Sequence, residues 1–356
     1  MNYLIFHPGI DRHPTDNEQT IKLNEFLSKK YEIKSLEWFL KNLNKPRIEV
    51  LYLNWYENPV KNTIPFIQGP IYRAKLWVLR HCKRNNIKIV YAFHNQLPHD
   101  VERNSFLYRH IAKPFEKKAL LLADIIVIHS YYTLNYIKSE FEIDEELLRK
   151  VQYIPIGKDK KYILEEKKYH LRTRLGLSSD ELVFGYIGRL TEYKQIDKAI
   201  IAFQKANVDA KLVIIGKADD SYQRKLNALV NTNKVIIEYR YLDDYEMNNS
   251  IAELDAMILP YDMTCLNSGP MLQAFLNGTT IIGTAIGTAR DFPESLLYSY
   301  EYESDEEHIE RIIKGIIAAS KDFKLGLLRD KGIKLQKIVL ERNDWNEIEQ
   351  TVLKMI

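Results

Sequence analysis

Short apolar runs alternate with longer amphipathic stretches along this chain, and no other feature limits its fold as strongly. Segments 3–6, 50–53, 87–93 and 125–128 read as strands, with helices at 17–29, 71–84, 105–122 and 133–138 between or after them. The second half repeats the scheme. Segments 183–187, 212–215, 235–238, 256–259 and 280–283 read as strands, and 196–206, 221–230, 245–254 and 271–276 as helices. Continuously apolar strands belong to a sheet covered on both faces, and such sheets are parallel. The strands of the second half lie about 25 residues apart, the spacing of βα units. At 356 residues the chain is long enough for two such domains. The expected fold class is therefore α/β, with two doubly wound, Rossmann-like parallel-sheet domains facing across a cleft.

The hinge is expected at Pro155-Ile156-Gly157, which precedes a charged stretch at 158–174. From about residue 304 the pattern is helical to the end. Trp345, Ile348, Val352 and Met355 fall on one helical face. The expected organisation is a first domain over 1–156, a second over 157–340, and a last helix over 341–356 that packs back on the first. Doubly wound sheets take their ligands at the carboxyl ends of the strands, so these loops are where chemistry is expected.

Composition narrows the classes. Hydrophobic residues make up 46% of the chain and charged residues 28%, which excludes disorder and a small disulfide scaffold. The two cysteines, Cys82 and Cys265, lie far apart without metal-ligand spacing, so zinc is not expected and a reducing compartment is. The first residues have neither a basic region nor a long apolar run, so they do not read as a signal peptide. The longest apolar run, 119–128, is broken by Asp124, so no membrane span is expected and a cytoplasmic location is. The net charge of +3 conceals a local surplus: residues 71–118 hold 11 basic and 3 acidic side chains.

Two segments of the second half carry the clearest chemistry. In Phe184-Gly185-Tyr186-Ile187-Gly188-Arg189-Leu190-Thr191-Glu192-Tyr193-Lys194, a strand ends in a glycine turn, an arginine and then a lysine at a helix start. Gly188 lets backbone approach a ligand, Arg189 can grip a phosphate with two donors, and Lys194 adds charge where a helix dipole already favours anions. A strand-end turn with two solvated cations would look the same in sequence. The segment 259–274 contains Asn267-Ser268-Gly269-Pro270, in which Pro270 suits a first helical turn and Asn267 or Ser268 can cap it. The free amides at Ser268 and Gly269 would then point at an anion, although a capped helix without a ligand has the same pattern.

With these residues in order, the second half resembles the nucleotide-sugar-binding domain of GT-B glycosyltransferases, most closely the family 4 group of exopolysaccharide and capsule synthesis. The resemblance runs from Gly185 to about Asp291. It includes Val213-Ile214-Ile215-Gly216, Asp255-Ala256 with Leu259-Pro260, and Ser268-Gly269 with Ala274 and Gly278. In the first half, Ala92-Phe93-His94-Asn95-Gln96-Leu97-Pro98-His99 and Ala123-Asp124-Ile125-Ile126-Val127-Ile128-His129-Ser130 resemble stretches of the same group.

The resemblance implies that Arg189 and Lys194 neutralise the diphosphate of a nucleoside-diphosphate sugar, of UDP or GDP type. It implies that the Ser268 and Gly269 amides hold the distal phosphate, and that Tyr241 and Leu242 lie near the base. Charge grows on this leaving group as the glycosidic bond breaks, and fixed cations and amides stabilise it. No DxD motif occurs, so neither an obligatory metal nor another cofactor is expected. One departure stands out. The family often carries two glutamates eight residues apart, and the matching positions here are Cys265 and Gln273. Gln273 can still hydrogen-bond a ribose hydroxyl. Cys265 replaces the first carboxylate poorly, which leaves the donor sugar and the stereochemical outcome open.

In the first domain, Gly9 after the first strand would permit close approach of the donor. Asp11, Asp16, His94, His99 and Asp100 are its candidate polar groups, and His94, Asp16 and Asp100 the catalytic ones. His94 would contact the donor sugar or move a proton. For an inverting reaction, Asp16, Asp100 and Glu102 remain alternatives for the base. Segment 71–84 places Arg73, Lys75, Arg80, Lys83 and Arg84 beside an apolar face, and 105–118 mixes Phe106, Tyr108 and Phe115 with Arg109, Lys113, Lys117 and Lys118. Such a surface suits an anionic membrane and a glycan or lipid-linked acceptor. Solvated helix faces would read similarly. Nucleic acid is not expected, because no motif for it appears. Two rivals remain. One is a non-catalytic nucleotide-sugar or glycan-binding protein on the same fold. The other is a dinucleotide-dependent oxidoreductase, disfavoured because no G-x-G-x-x-G follows a strand.

Overall fold

The structure is a computed structural model that describes residues 2–8, 18–60, 65–98, 101–164 and 170–356, with backbone only at 65, 66, 162 and 164. The chain forms two compact units, Met1–Gly157 with Trp345–Ile356, and Lys158–Asp344.

In the first unit the strands are β1 (Tyr3–His7), β2 (Glu32–Ser35), β3 (Ile48–Asn54), β4 (Lys88–Ala92), β5 (Ile125–Ile128) and β6 (Val151–Tyr153). They pair in parallel in the order β2-β1-β3-β4-β5-β6. Its main helices are α1 (Glu18–Ser28), α2 (Leu36–Lys41), α3 (Pro65–Arg84), α4 (Lys113–Leu122) and α5 (Tyr131–Phe141).

The second unit has β7 (Val183–Ile187), β8 (Lys211–Ile215), β9 (Val235–Glu238), β10 (Ala256–Leu259), β11 (Thr280–Thr284) and β12 (Tyr298–Tyr300), parallel in the order β12-β11-β10-β7-β8-β9. Its main helices are α6 (Ile196–Ala206), α7 (Asp220–Leu229), α8 (Asp244–Ala252), α9 (Gly269–Leu276), α10 (Asp305–Lys324) and α11 (Leu327–Arg342). Both sheets are doubly wound. The order reverses between β1 and β3 in one and between β7 and β10 in the other, and these switch points are where such sheets hold ligands.

The apolar strands are buried as their composition requires: β7 and β11 are buried along their whole length. Asp124 and Asp255 interrupt the apolar pattern for a reason of local structure. Each accepts a backbone N–H at the start of a neighbouring strand, Ile89 at 2.8 Å and Val183 at 2.7 Å, and each pairs with a cation, Lys83 and Arg172.

Three strands escape the sequence pattern. β2, β6 and β12 are edge strands with one neighbour, none of them buried along its length, so their sequences EIKS, VQY and YSY carry no continuous apolar run. Two helices differ from expectation. α3 begins at Pro65 and runs through Pro70 rather than starting after it. Near a helix start a proline deletes only one backbone hydrogen bond, and the helix absorbs the loss. The segment expected as one helix over 105–122 contains a π-helical turn at Tyr108–Ala112 before α4. There the Lys113 N–H reaches back to the Tyr108 carbonyl, one residue before Pro114, which has no N–H to donate.

The last helix, α12 (Trp345–Met355), belongs to the first unit. Ile348 and Val352 are fully buried against Leu23, Phe26 and Leu27 of α1. The Trp345 indole N–H donates to Glu18 Oε1 at 3.1 Å, and its ring lies 5.8 Å from Phe26. Gly157 is where the chain passes this tryptophan. A Cβ there would sit 2.4 Å from the indole, so only glycine fits. Among the described residues no helix is long and apolar enough to cross a membrane.

Candidate functional site

At the switch point of the second sheet, β7 ends at Ile187 and the chain turns at Gly188 with φ +139°, a conformation that favours glycine. The turn is pressed against the end of β8. Gly188 N–H donates to Ile215 O at 3.0 Å and Leu190 N–H to Lys217 O at 2.9 Å. A Cβ on Gly216 would lie 1.8 Å from the Gly188 carbonyl oxygen, so the turn leaves room only for glycine at residue 216.

This turn presents Arg189 and Lys194 in different states. Arg189 is exposed, and its guanidinium makes no ion pair among the described residues. Lys194 is buried. Its ammonium donates to Arg189 O at 2.8 Å and lies 5.4 Å and 5.9 Å from the Tyr186 and Tyr193 rings. Tyr186 OH donates to the same carbonyl at 3.1 Å. Among the described residues no carboxylate pairs with Lys194. Burial pushes its ammonium down to about 8, with the Cys265 sulfur acting upward and the Arg189 charge further downward.

The loop after β10 completes this face. Asp262 N–H donates to Tyr193 O at 3.2 Å, tying the loop to the Lys194 turn. Ser268, not Asn267, caps α9: its hydroxyl accepts from Met271 N–H at 3.1 Å. Ser268 N–H is itself taken by Thr288 Oγ1 at 3.0 Å. Gly269 faces open space, with nothing within 4 Å of where its Cβ would stand. Cys265 is half-buried and donates its thiol to Asn267 O at 3.2 Å. Burial pushes that thiol up to about 11, so the position is neutral at physiological pH and offers Lys194 no anion.

Gln273 is buried in a polar network that the sequence does not signal. Its side-chain oxygen accepts from Lys158 Nζ at 3.0 Å, its amide donates to Asn248 Oδ1, and Asn277 donates to that same oxygen at 2.7 Å. After β9, Tyr241 is 75% exposed while Leu242 is buried. Arg240 between the strand and Tyr241 is clamped by Glu246 at 2.5 and 2.8 Å and by Glu238 at 2.9 Å, which raises its pKa and leaves Tyr241 as the accessible side chain. A cavity of about 670 Å³ exists elsewhere in this unit, lined by Arg172, Glu253, Asp255 and Gly278. It lies at the amino ends of the strands, and its Arg172 is already consumed by Asp255 and three carbonyls.

In the first unit, Gly9, Asp11, Asp16, His99 and Asp100 lie outside the described residues. Glu102 is exposed. His94 is buried at the carboxyl end of β4, with Nε2 3.0 Å from Asn54 Oδ1. Its ring stacks on Trp55 at 4.2 Å and lies 4.8 Å from His129. Sequence reasoning did not single out Asn54 or Trp55, because no motif marks them; position at the end of a switch-point strand is their only signal. Among the described residues no cluster of three His, Cys, Asp or Glu side chains could hold a metal ion.

The basic segment is less uniformly cationic at its surface than its composition indicates. Lys75 turns inward and donates to the Tyr56 and Asn58 carbonyls at 2.8 and 2.6 Å. Lys83 pairs with Asp124, Lys113 with Glu140 and Lys117 with Glu142. Arg73, Arg80, Arg84 and Lys118 remain exposed, together with Trp77 at 46% and Phe106 at 72% exposure.

Comparison with known proteins places this geometry. Residues 168–322 match the family model described as glycosyl transferases group 1. No curated protein matches the chain by sequence. Among solved structures, sucrose-phosphate synthase from Thermosynechococcus elongatus superposes with a TM-score of 0.69 at 15% identity, over 99% of this chain and 97% of that one. HepE from Anabaena, solved in complex with UDP, gives 0.67 at 16% identity over 99% of each chain. WaaG, a glycosyltransferase involved in lipopolysaccharide biosynthesis, gives 0.60 at 14% identity over 99% and 98%. The chain therefore has the GT-B fold, and residues 168–322 of its second unit are similar to the glycosyl transferases group 1 family.

Proposed function

We propose that this protein is a glycosyltransferase that moves a hexosyl group from a nucleoside-diphosphate sugar, of UDP or GDP type, to a glycan or lipid-linked acceptor of bacterial surface polysaccharide, without a metal. The observation that carries the reading is the pair of cations at the β7 switch point. Among the described residues Arg189 has no acid partner and Lys194 is buried without one, so both charges can receive a small anion. A diphosphate supplies that anion, with the open start of α9 at Gly269 beside it. The same charges would stabilise the diphosphate as it leaves. Tyr241, exposed after β9, offers a face to the base. HepE structures contain UDP and UDP-glucose, which favours the same donor class for this chain.

The test is a thermal-shift and calorimetric panel of UDP, GDP, ADP and their sugars. A ligand that binds only the folded state raises its melting temperature. Arg189→Ala is expected to leave the unliganded melting temperature unchanged, because the side chain is exposed and makes no ion pair among the described residues. It is expected to weaken diphosphate binding by about 2 kcal/mol, roughly thirtyfold, the worth of a charge-assisted contact. If no nucleotide shifts the melting curve, the donor reading falls. If binding is intact but no sugar is transferred or hydrolysed, the non-catalytic rival is favoured.

Membrane contact through 71–118 belongs to the same reading. Arg73, Arg80 and Arg84 flank the exposed Trp77 on α3, a cationic and aromatic combination suited to an anionic lipid surface. Flotation with vesicles containing anionic lipid at low salt should carry the protein upward. Equal recovery with neutral vesicles would sink this part.

A further inference from the structure

Trp55 stands at the switch point of the first sheet, directly after β3 and beside the end of β1. Asn54 Nδ2 donates to His7 O at 3.2 Å and closes the gap between these two strand ends. The backbone of Trp55 is left-handed, with φ +50°. For a bulky side chain that conformation costs about 1–2 kcal/mol and persists only where its surroundings over-determine it.

The surroundings do so. Lys75 Nζ holds the Tyr56 and Asn58 carbonyls, and Tyr72 OH donates to Glu57 O at 2.6 Å. Tyr56 OH returns a bond to Lys75 O at 3.3 Å, and Asn95 Nδ2 donates to Glu57 Oε1 at 3.2 Å. Five hydrogen bonds thus fix residues 56–58 and force the turn at Trp55. The ring so displayed is not buried. It stays half-exposed, with one face stacked on His94 at 20° between planes and no second ring on the other among the described residues.

Behind it the row continues. His94 lies between Trp55 and His129, so three rings follow the ends of adjacent strands β3, β4 and β5. His129 Nδ1 is 2.8 Å from Ile154 O and carries the proton there, which makes Nε2 a bare acceptor. That atom is buried without a partner among the described residues, and burial keeps the imidazole neutral. The row therefore backs Trp55 with two further rings, the last of them a neutral imidazole.

We propose that the outer face of Trp55, backed by His94 and His129, is the platform on which this protein stacks a hexopyranose ring. The axial C–H bonds of a pyranose present a weakly positive face, which matches the negative face of an indole. The proposal rests on the glycosyltransferase reading for its ligand class, and the sugar can come from either the donor or the acceptor.

Saturation-transfer NMR on the full chain tests it, with UDP-glucose, GDP-mannose and the methyl glycosides of glucose and mannose as probes. Trp55→Gly is the informative variant, since glycine adopts φ +50° without cost and the loop keeps its clamps. Saturation of sugar-ring protons is expected to fall about tenfold, Trp55→Phe to retain much of it, and the melting temperature to hold or rise. Loss confined to the nucleotide sugars assigns the platform to the donor, and loss confined to the glycosides assigns it to the acceptor. Nucleoside protons should remain saturated in Trp55→Gly. If they are unsaturated already in the unaltered protein, the donor reading fails, while a Trp55-dependent sugar signal would still stand. Unchanged sugar saturation in Trp55→Gly, no sugar saturation in the unaltered protein, or a melting temperature lowered by the substitution would overturn the platform.

Discussion

At the scale of single residues, the departure at Cys265 changes how Lys194 works. A carboxylate at that position would neutralise the ammonium and hold its pKa high. The thiol stays neutral, Arg189 repels, and burial between Tyr186 and Tyr193 removes water, so the ammonium titrates near 8. The direction of the consequence follows. Above pH 8 the free site is increasingly uncharged, a bound diphosphate favours the charged form, and binding must then take up a proton. Affinity for UDP should therefore fall as pH rises, approaching about tenfold per pH unit above 8. Isothermal titration between pH 7 and 9 checks this. Lys194→Met should bind weakly with a flat profile, and a flat profile in the unaltered protein would contradict the mechanism. Gly188, Arg189 and Lys194 were all legible in sequence because backbone freedom and charge are properties of residue type. The clamp on Gln273 was not, since Lys158 lies 115 residues away.

At the scale of elements, the face that carries Arg189 and Lys194 depends on how closely β7 and β8 end. The Gly188 carbonyl occupies the space where a side chain on residue 216 would begin. Gly216→Ala should displace the Gly188 turn, cost about 2–3 kcal/mol as overpacking does, and weaken nucleotide binding with it. Urea denaturation measures the first and calorimetry the second. A midpoint equal to that of the unaltered protein would mean the turn yields without strain. Strand positions in the sheet centres were readable because burial on both faces demands continuous apolar sequence. Edge strands β2, β6 and β12 were not, because a strand with one neighbour tolerates Glu32, Lys34 and Gln152. Pro70 misled in the same way: a local rule places a helix start after it, whereas α3 packs along its length and carries the proline inside.

At the scale of the molecule, the first unit is assembled from both ends of the chain. α12 fills the groove beside α1 with Ile348, Val352 and Ile356, all buried, and Trp345 closes over Gly157. Each fully buried aliphatic side chain is worth about 1.5–3 kcal/mol, so the helix supplies a large part of an ordinary stability margin of about 5–15 kcal/mol. A chain ending at residue 344 should lose its first unit selectively. Limited proteolysis is expected to digest residues 1–157 while a fragment of 158–344 survives. Equal resistance of both units would show that α12 is dispensable. The helical face of 345–355 is visible in sequence, but an amphipathic stripe says only that something covers it.

Periodicity and residue type determined the sheet class, the position of the central strands, the glycine turns and the two cations that follow β7, because each depends on neighbours a few residues away. Tertiary structure alone decided which cations are free. Lys75, Lys83 and Lys113 are spent on carbonyls and carboxylates, whereas Arg189 is not. It also decided that Trp55 is held in a left-handed turn with its ring half-exposed. These outcomes rest on contacts between β3, α3 and β4, and a hydrogen bond across tens of residues leaves no pattern in the chain until the fold brings its partners together.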